Sequence, residues 1–444
     1  MQLRRKNVVV CGASMAGLFA ARVLSDFYET VTVVERDLLP ETSAHRRGVA
    51  QGRHLHMMLS PGSSYADELF PGLLDELAAA GAHVFVPTDP SPFYMRFGDH
   101  DLCRTGRFTT LDGIVVLLAS RPLLEHHVRR RVRRLENVTF LEGHDVVEPI
   151  VGPPDRVSAV RIVDRATGDA RVLETDLVVD ATGRSARTPA FLEAHGYERP
   201  VDQKYAVNLT YSSQFFRTPV GALTDAKIAV VSPTLRRPTG LGVLAYEDDT
   251  AILTLIGLAG HELPTDLTRV LAFAADLLPA GIMDALRAAE PLGDVSAQRY
   301  PASVWRRYDK LARFPKGLLV IGDAVCSFNP VYGQGMTSAG LQAAALHRCL
   351  SSSDTDDVSR RYFRAAAKKL APIWRSNRFV DFSITPADDW RATPKRLLYW
   401  GMNKVFAAAA NDIELTETYL RTIALLDPPT ALLRPGRLRR VLTA

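Results

Sequence analysis

Between Asn7 and Glu35 the apolar positions change their spacing twice. Val8 to Val10 form an unbroken apolar run, which predicts a strand buried on both faces. Beyond Gly12 and Gly17, Phe19-Ala20-Ala21 and Val23-Leu24 follow helical spacing, and Val31 to Val34 return as a second strand closed by Glu35. Two more buried runs, Leu177 to Val179 and Leu318 to Ile321, each end at a glycine and an aspartate. From 201 to 296 the pattern is different. "YAVNLTYSSQFFR" alternates, and "AKIAVVSP", "GLGVLAYEDD" and "TAILTLIGLAG" are strand runs separated by turns. "LPTDLTRVLAFAADL" has helical spacing, with Thr265 or Asp266 as its cap. Beyond Asp354 two long helical patterns fill the tail, with aromatic clusters expected in the core.

Composition narrows the class. Of 444 residues 47% are hydrophobic and 23% charged, the balance of a globular enzyme of two or three domains. Net charge is +5, and its densest run, Arg129 to Arg134, sits in helical spacing. That placement predicts a solvated helix face and no nucleic-acid partner. Cys11, Cys103, Cys326 and Cys349 show neither a C-x-x-C pair nor zinc spacing, which predicts reduced thiols, no metal site and a cytoplasmic location. The basic start, with Arg4-Arg5, imitates an export signal. The apolar stretch after it breaks into strand, glycine turn and helix, so retention is expected. No apolar run reaches the ~18 residues of a membrane span.

The first strand–turn–helix carries chemistry. Gly12, Ser14 and Gly17 make a G-x-S-x-x-G variant, and with Met15 and Ala16 they place free N–H groups and a positive dipole at a pyrophosphate position. Gly12 permits the tight turn, and Gly17 lets helix and strand approach. Ser14 replaces the second glycine and brings a hydroxyl that can donate to phosphate. Glu35, followed by Arg36, can accept both hydroxyls of an unphosphorylated ribose such as that of FAD or NAD. Asp180-Ala181-Thr182-Gly183 forms a second glycine turn, and Gly322-Asp323 sets an acid at a strand's carboxyl end, where open α/β sheets bind ligands.

These segments together, in order and spacing, resemble the FAD-dependent monooxygenases of the para-hydroxybenzoate hydroxylase fold over residues 1 to about 350. "QGRHLHMMLSPG", "DATGRSARTPAFLEAHGY" and "VIGDAVCSFNPVYGQGMT" look closest to actinobacterial natural-product epoxidases and hydroxylases of the polyether type. The resemblance implies an α/β fold with a Rossmann-like FAD-binding domain (1–88, 102–200 and 297–352), a β-sheet substrate domain (89–101 and 201–296) and a helical C-terminal region (353–444). It implies that Asp323 bonds the ribityl chain of FAD. Pro330 and the Gly333, Gln334, Gly335, Met336 segment would meet the flavin ring, with the following helix aimed at its pyrimidine edge. Arg47 would meet the pyrophosphate from the "HRRGV" loop, and Arg121 would reach the FAD from a helix start.

The Asp-Ala-Thr-Gly form of the second turn differs from the family's Asp-Gly element, which is associated with gripping NADPH. The W-x-W-x-I-P signature of tryptophan halogenases and the Y-x-W-x-F-P pattern of geranylgeranyl reductases are missing. The implied reaction inserts one oxygen atom of O2, through a hydroperoxide at flavin C4a, into an apolar natural-product intermediate. Epoxidation of an alkene stands ahead of aromatic hydroxylation. NADPH or NADH would be the reductant, directly or through a flavin reductase. No acid/base residue is nominated, because the chemistry is borne by the flavin. Tyr211, Phe215, Leu244 and His56 are candidates for the substrate pocket. A flavin reductase or dehydrogenase without oxygen insertion, and a non-catalytic FAD-binding protein, are the competing functions.

Overall fold

The computed structural model describes residues 5–153, 155–352, 357–384 and 393–443, so Arg4 and the expected boundary at 353 lie outside the described residues. The chain opens with β1 (Arg5–Cys11), turns at Gly12 into α1 (Met15–Ser25) and returns as β2 (Tyr28–Glu35). It then crosses to a second sheet for β3 (Phe93–Phe97) and β4 (His100–Asp101). Through α2 (Arg121–Arg133) it comes back to β5 (Val138–Glu142) and β6 (Leu177–Asp180). Most of the second sheet follows as β7 (Asp202–Arg217), β8 (Ile228–Val231), β9 (Thr239–Ala245), β10 (Thr250–Gly257) and β11 (Glu290–Arg306). The short β12 (Leu318–Val320) rejoins the first sheet and β13 (Cys326–Ser327) the second. Helices α3 (Gly335–Ser351), α4 (Val358–Ile384), α5 (Thr393–Ala409) and α6 (Ile413–Ile423) come after them.

The first sheet is parallel, in the order β12-β6-β1-β2-β5. Its central residues are apolar because helices and a separate three-stranded antiparallel sheet, which contributes Val157, Val160 and Ile162, pack with them into one core, and Val8 to Val10, Val178, Val179 and Leu318 to Val320 are all buried. Cys11 pairs with Asp180 and Val34, and Asp180 with Val320, so the three glycine turns open at one carboxyl edge.

The second sheet runs β13-β11-β7-β10-β9-β8-β3-β4, so Phe93–Phe97 is a neighbour of Ile228–Val231. One face packs on the helices Leu267–Ala275, capped by Asp266, and Ala280–Arg287. On the other, Leu244 and Ile252 meet Ala408, Ala409 and Leu415 of α5 and α6. Helix α4 instead joins the parallel sheet's core through Tyr362, Leu370, Ile373 and Trp374. The helical tail is thus divided between the two sheets.

One expectation, the solvated arginine face of α2, holds only in part. Arg130 and the capping Arg134 are exposed and Arg131 and Arg133 half-buried, but Arg129 is buried and donates to the Pro40 carbonyl at 2.6 Å. Arg130 and Arg131 pair with Glu76, and Arg133 with Glu41 and Glu142. Glu76 and Glu41 come from distant parts of the chain and Glu142 from the next strand, so the helix's own periodicity carries no trace of them.

Candidate functional site

At the first turn, geometry dictates glycine. Gly12 has φ +108°, and a Cβ there would lie 2.8 Å from the Ala181 carbonyl oxygen. A Cβ on Gly17 would lie 1.8 Å from the Gly12 oxygen. Ser14 begins α1 without a side-chain cap, so the N–H groups of Met15, Ala16 and Gly17 lack intrahelical partners. Its hydroxyl instead accepts from Arg121 Nη2 at 2.7 Å.

Beside this turn lies a buried knot of charge. Glu35 Oε2 accepts the Ala13 N–H at 2.7 Å and faces Arg46 Nη1 at 3.3 Å. Arg46 also reaches Asp37 at 3.2 Å and Glu125 at 2.6 Å, and it donates to the Ala13 carbonyl. Glu125 bonds Arg121 as well, at 3.1 Å. Burial pushes the Glu125 carboxyl up, but Arg121 and Arg46 outweigh it and hold the group below its ordinary range. The arginine brought to this corner is Arg46, whereas Arg47 is exposed. Arg36 also points outward, 3.9 Å from Asp145. Glu125 went unnoticed in the sequence, although it stands one helical turn beyond Arg121.

The second turn is shaped from within. Asp180 accepts from the Thr182 N–H at 3.0 Å and the Thr182 hydroxyl at 2.6 Å, and its other oxygen accepts from Thr188. Its carboxylate is spent on the turn, so it fixes Gly183 rather than facing a ligand. Gly183 takes φ +75°, with open space where a Cβ would stand.

The third turn touches the first. Gly322 has φ +74°, and a Cβ on it would come within 2.5 Å of the Ala16 Cβ. Its N–H donates to Gln342 Oε1 at 2.9 Å. Next to it, the half-buried Asp323 carboxylate has no hydrogen-bond or ion-pair partner among the described residues. Burial raises its pKa, against the pull of Arg184, Arg121 and Arg306. An acceptor left without a donor at a sheet's carboxyl edge suits a hydroxyl-bearing ligand.

From Asn329 the chain makes a short turn, Pro330–Tyr332, capped by the Asn329 side chain on the Val331 N–H at 3.1 Å. Gly333 at φ +63° reverses it into Gln334, which begins α3 without capping that helix by its side chain. Gly335, Met336 and Thr337 therefore present N–H groups without intrahelical partners. Pro330 and Gly335 are exposed, whereas Gln334 and Met336 are buried.

Val331 packs against the second sheet, in a cluster with Leu209, Tyr211, Ile256 and Tyr300. On that face His54 stacks on Tyr211, ring centres 5.6 Å apart. Phe215 packs against His45 and Tyr246. Leu244 is fully buried in the core toward α5 and α6.

The histidine tautomers follow from their partners. His56 Nδ1 lies 2.8 Å from the His54 carbonyl, to which only an N–H can bond, so Nε2 keeps its lone pair. Thr254 Oγ1 accepts from the Leu55 N–H and lies 2.8 Å from Ser213 Oγ, which is 2.8 Å from His54 Nδ1. The Thr254 proton has no other acceptor among the described residues. It goes to Ser213, the Ser213 proton to Nδ1, and His54 carries its proton on Nε2. Burial pushes both imidazoles down to about 4, helped at His56 by Arg121, and both are neutral at pH 7.

No protein-family model matches the chain. Protein Rv3254 of Mycobacterium tuberculosis is 40% identical over 436 residues, which cover 95% of this chain and 90% of that protein. A kynurenine 3-monooxygenase of Salinispora arenicola is 25% identical, over 90% of this chain and 83% of its own length. Among solved structures, p-nitrophenol 4-monooxygenase PnpA of Pseudomonas putida DLL-E4 superposes with a TM-score of 0.66 at 16% identity, over 95% of this chain and 98% of that one. The chain belongs to the family of Protein Rv3254 and has the fold of the FAD-dependent monooxygenases.

Proposed function

We propose that this chain binds FAD along the carboxyl edge of its parallel sheet and is a monooxygenase that transfers one oxygen atom of O2 to a small, apolar molecule. The observation that carries the reading is the unpartnered Asp323 carboxylate between two helices, α1 and α3, whose first N–H groups are free. A polyol chain with a diphosphate at one end and an electron-poor ring at the other would satisfy all three at once.

FAD bound there would supply the redox chemistry with O2. The residues divide the work of holding it. Met15, Ala16 and Gly17 offer backbone N–H groups to the diphosphate, with Arg121 and Arg46 beside them to offset its charge. Glu35 accepts from the ribose, Asp323 from the ribityl hydroxyls, and Asp180 holds the turn at Gly183. Pro330, Gly333, Gln334, Gly335 and Met336 support the ring, and the α3 N-terminus favours negative charge on its pyrimidine edge.

The sheet face opposite, with Tyr211, Phe215 and the neutral His54 and His56, offers apolar surface and uncharged polar atoms. That surface suits an alkene better than a phenol in need of a base, which supports epoxidation ahead of aromatic hydroxylation in a natural-product pathway. NADPH or NADH would be the reductant, directly or through a flavin reductase. The test is turnover of candidate alkenes under 18O2 with either nucleotide, with and without a reductase. One 18O per product molecule is expected. Turnover without O2, or product free of 18O, would move the chain to the flavin reductases and dehydrogenases.

A further inference from the structure

Helix α4, the first of the helical tail, reaches the turn that precedes α3. Trp374, Asn377 and Asp381 stand at i, i+3 and i+7, along one face of that helix. Trp374 anchors the face, with ring contacts to Tyr205 at 4.9 Å, Trp305 at 5.7 Å and Phe328 at 6.3 Å. Asn377 Nδ2 donates to Gln334 Oε1 at 2.7 Å. Asp381 Oδ1 accepts from Asn329 Nδ2 at 2.8 Å and from the Tyr332 hydroxyl at 2.7 Å. One helix thus holds both ends of the Asn329–Gln334 turn.

These contacts are costly ones to build into a core. Asn377 and Asp381 are each about 3% exposed, and burying an amide and a carboxyl is unfavourable unless they are bonded. Tyr205, whose hydroxyl is buried with Asp381 Oδ2 and Ser303 Oγ, acts on both of those groups, although none of the three atoms has a partner in good hydrogen-bond geometry among the described residues. Leucine on the same helix face would pack at lower cost, but it would leave the turn without these three bonds.

We propose that Asn377 and Asp381 are positioning residues that fix the Asn329–Gln334 turn, and thereby aim the N–H groups at the start of α3 toward the flavin ring. The inference rests on the FAD reading above. It makes the tail a working part of the cofactor site, although no residue of the tail need touch the cofactor. Burial keeps the Asp381 carboxyl above its ordinary range, against the bonds from Tyr332 and Asn329, in keeping with an acceptor role that needs no charge.

The experiment compares wild type with Asn377→Leu, Asp381→Leu, Asp381→Asn and Tyr332→Phe. Apo-protein melting, FAD affinity by fluorescence titration and the midpoint potential of the bound flavin are measured for each. Both leucine variants should bind FAD at least ~10-fold more weakly and shift the potential negative, because the reduced ring loses aligned donors. Asp381→Asn keeps an acceptor oxygen and should restore wild-type behaviour. Tyr332→Phe, which removes one hydroxyl and leaves the helix intact, should fall between and serves if the leucine variants do not fold. Wild-type affinity and potential in Tyr332→Phe and the leucine variants would overturn the proposal, as would an Asp381→Asn no better than Asp381→Leu. A wild type that binds no FAD would instead overturn the reading beneath it.

Discussion

The two sheets carry their share of the site in different ways. At the parallel sheet the constraint is on backbone: Gly12, Gly17 and Gly322 stand where a single methyl group would strike a neighbouring atom. Against the second sheet the contacts are made by side chains, through His54, Ser213, Thr254 and Tyr211, drawn from three separate segments of the chain. The first kind of site tolerates almost no change at its turns. The second kind can be altered residue by residue.

That contrast can be broken most sharply at Gly17. Valine there would force a carbon into the Gly12 carbonyl, so Gly17→Val should yield no folded, FAD-binding protein, checked by circular dichroism and absorbance. Soluble, yellow Gly17→Val would end the claim that backbone approach governs this half. Next in size is Glu125→Ala, which leaves Arg46 and Arg121 buried without their shared carboxylate. It should cost about 3–5 kcal/mol in a denaturant titration.

Asp323→Asn separates binding from stability. Hydrogen bonds to a charged acceptor are worth ~1.5–3 kcal/mol, so FAD affinity should fall on the order of 10- to 100-fold. The folded Asp323 carboxyl has a raised pKa, so its charge destabilises the apo-protein at neutral pH. The same variant should therefore raise apo-protein melting while weakening cofactor binding. Lowered melting would show that Asp323 has a structural partner.

The smallest effect lies in the second sheet. His54 and His56 are held near 4, so below pH ~6.5 the unfolded chain binds protons that the folded chain refuses. Stability should fall as pH drops from ~6.5 toward 4, by at most ~1.4 kcal/mol per unit for each ring. His54→Gln should flatten that slope by ~1 kcal/mol between pH 6 and 5, read from melting against pH. An unchanged slope would contradict the neutral tautomer on which the pocket's chemistry rests.

The same contrast explains what was legible beforehand. Gly12, Glu35 and Asp323 could be read because each stands at or just past a strand end, and Gly17 because it lies in the first turn of the helix that follows one; strand ends show in local periodicity. Arg46 and Arg47 are neighbours in a loop without periodicity, so which one turns inward depends on Glu125, a residue of another element. Asp180 stands at a strand end as Asp323 does, yet two threonines nearby consume its carboxylate. The hold of Asn377 and Asp381 on the turn had no local sign at all, since their partners lie some fifty residues upstream. Local signals reveal what the backbone must do. Partners from elsewhere decide what the side chains do.

Calorimetric titration of apo-protein with FAD decides whether the separate glycine turns meet to bind a single FAD. One FAD per chain, a yellow complex and loss of most of the affinity in Asp323→Asn are expected. A colourless protein with no binding heat, or an Asp323→Asn variant that binds as well as wild type, would contradict it.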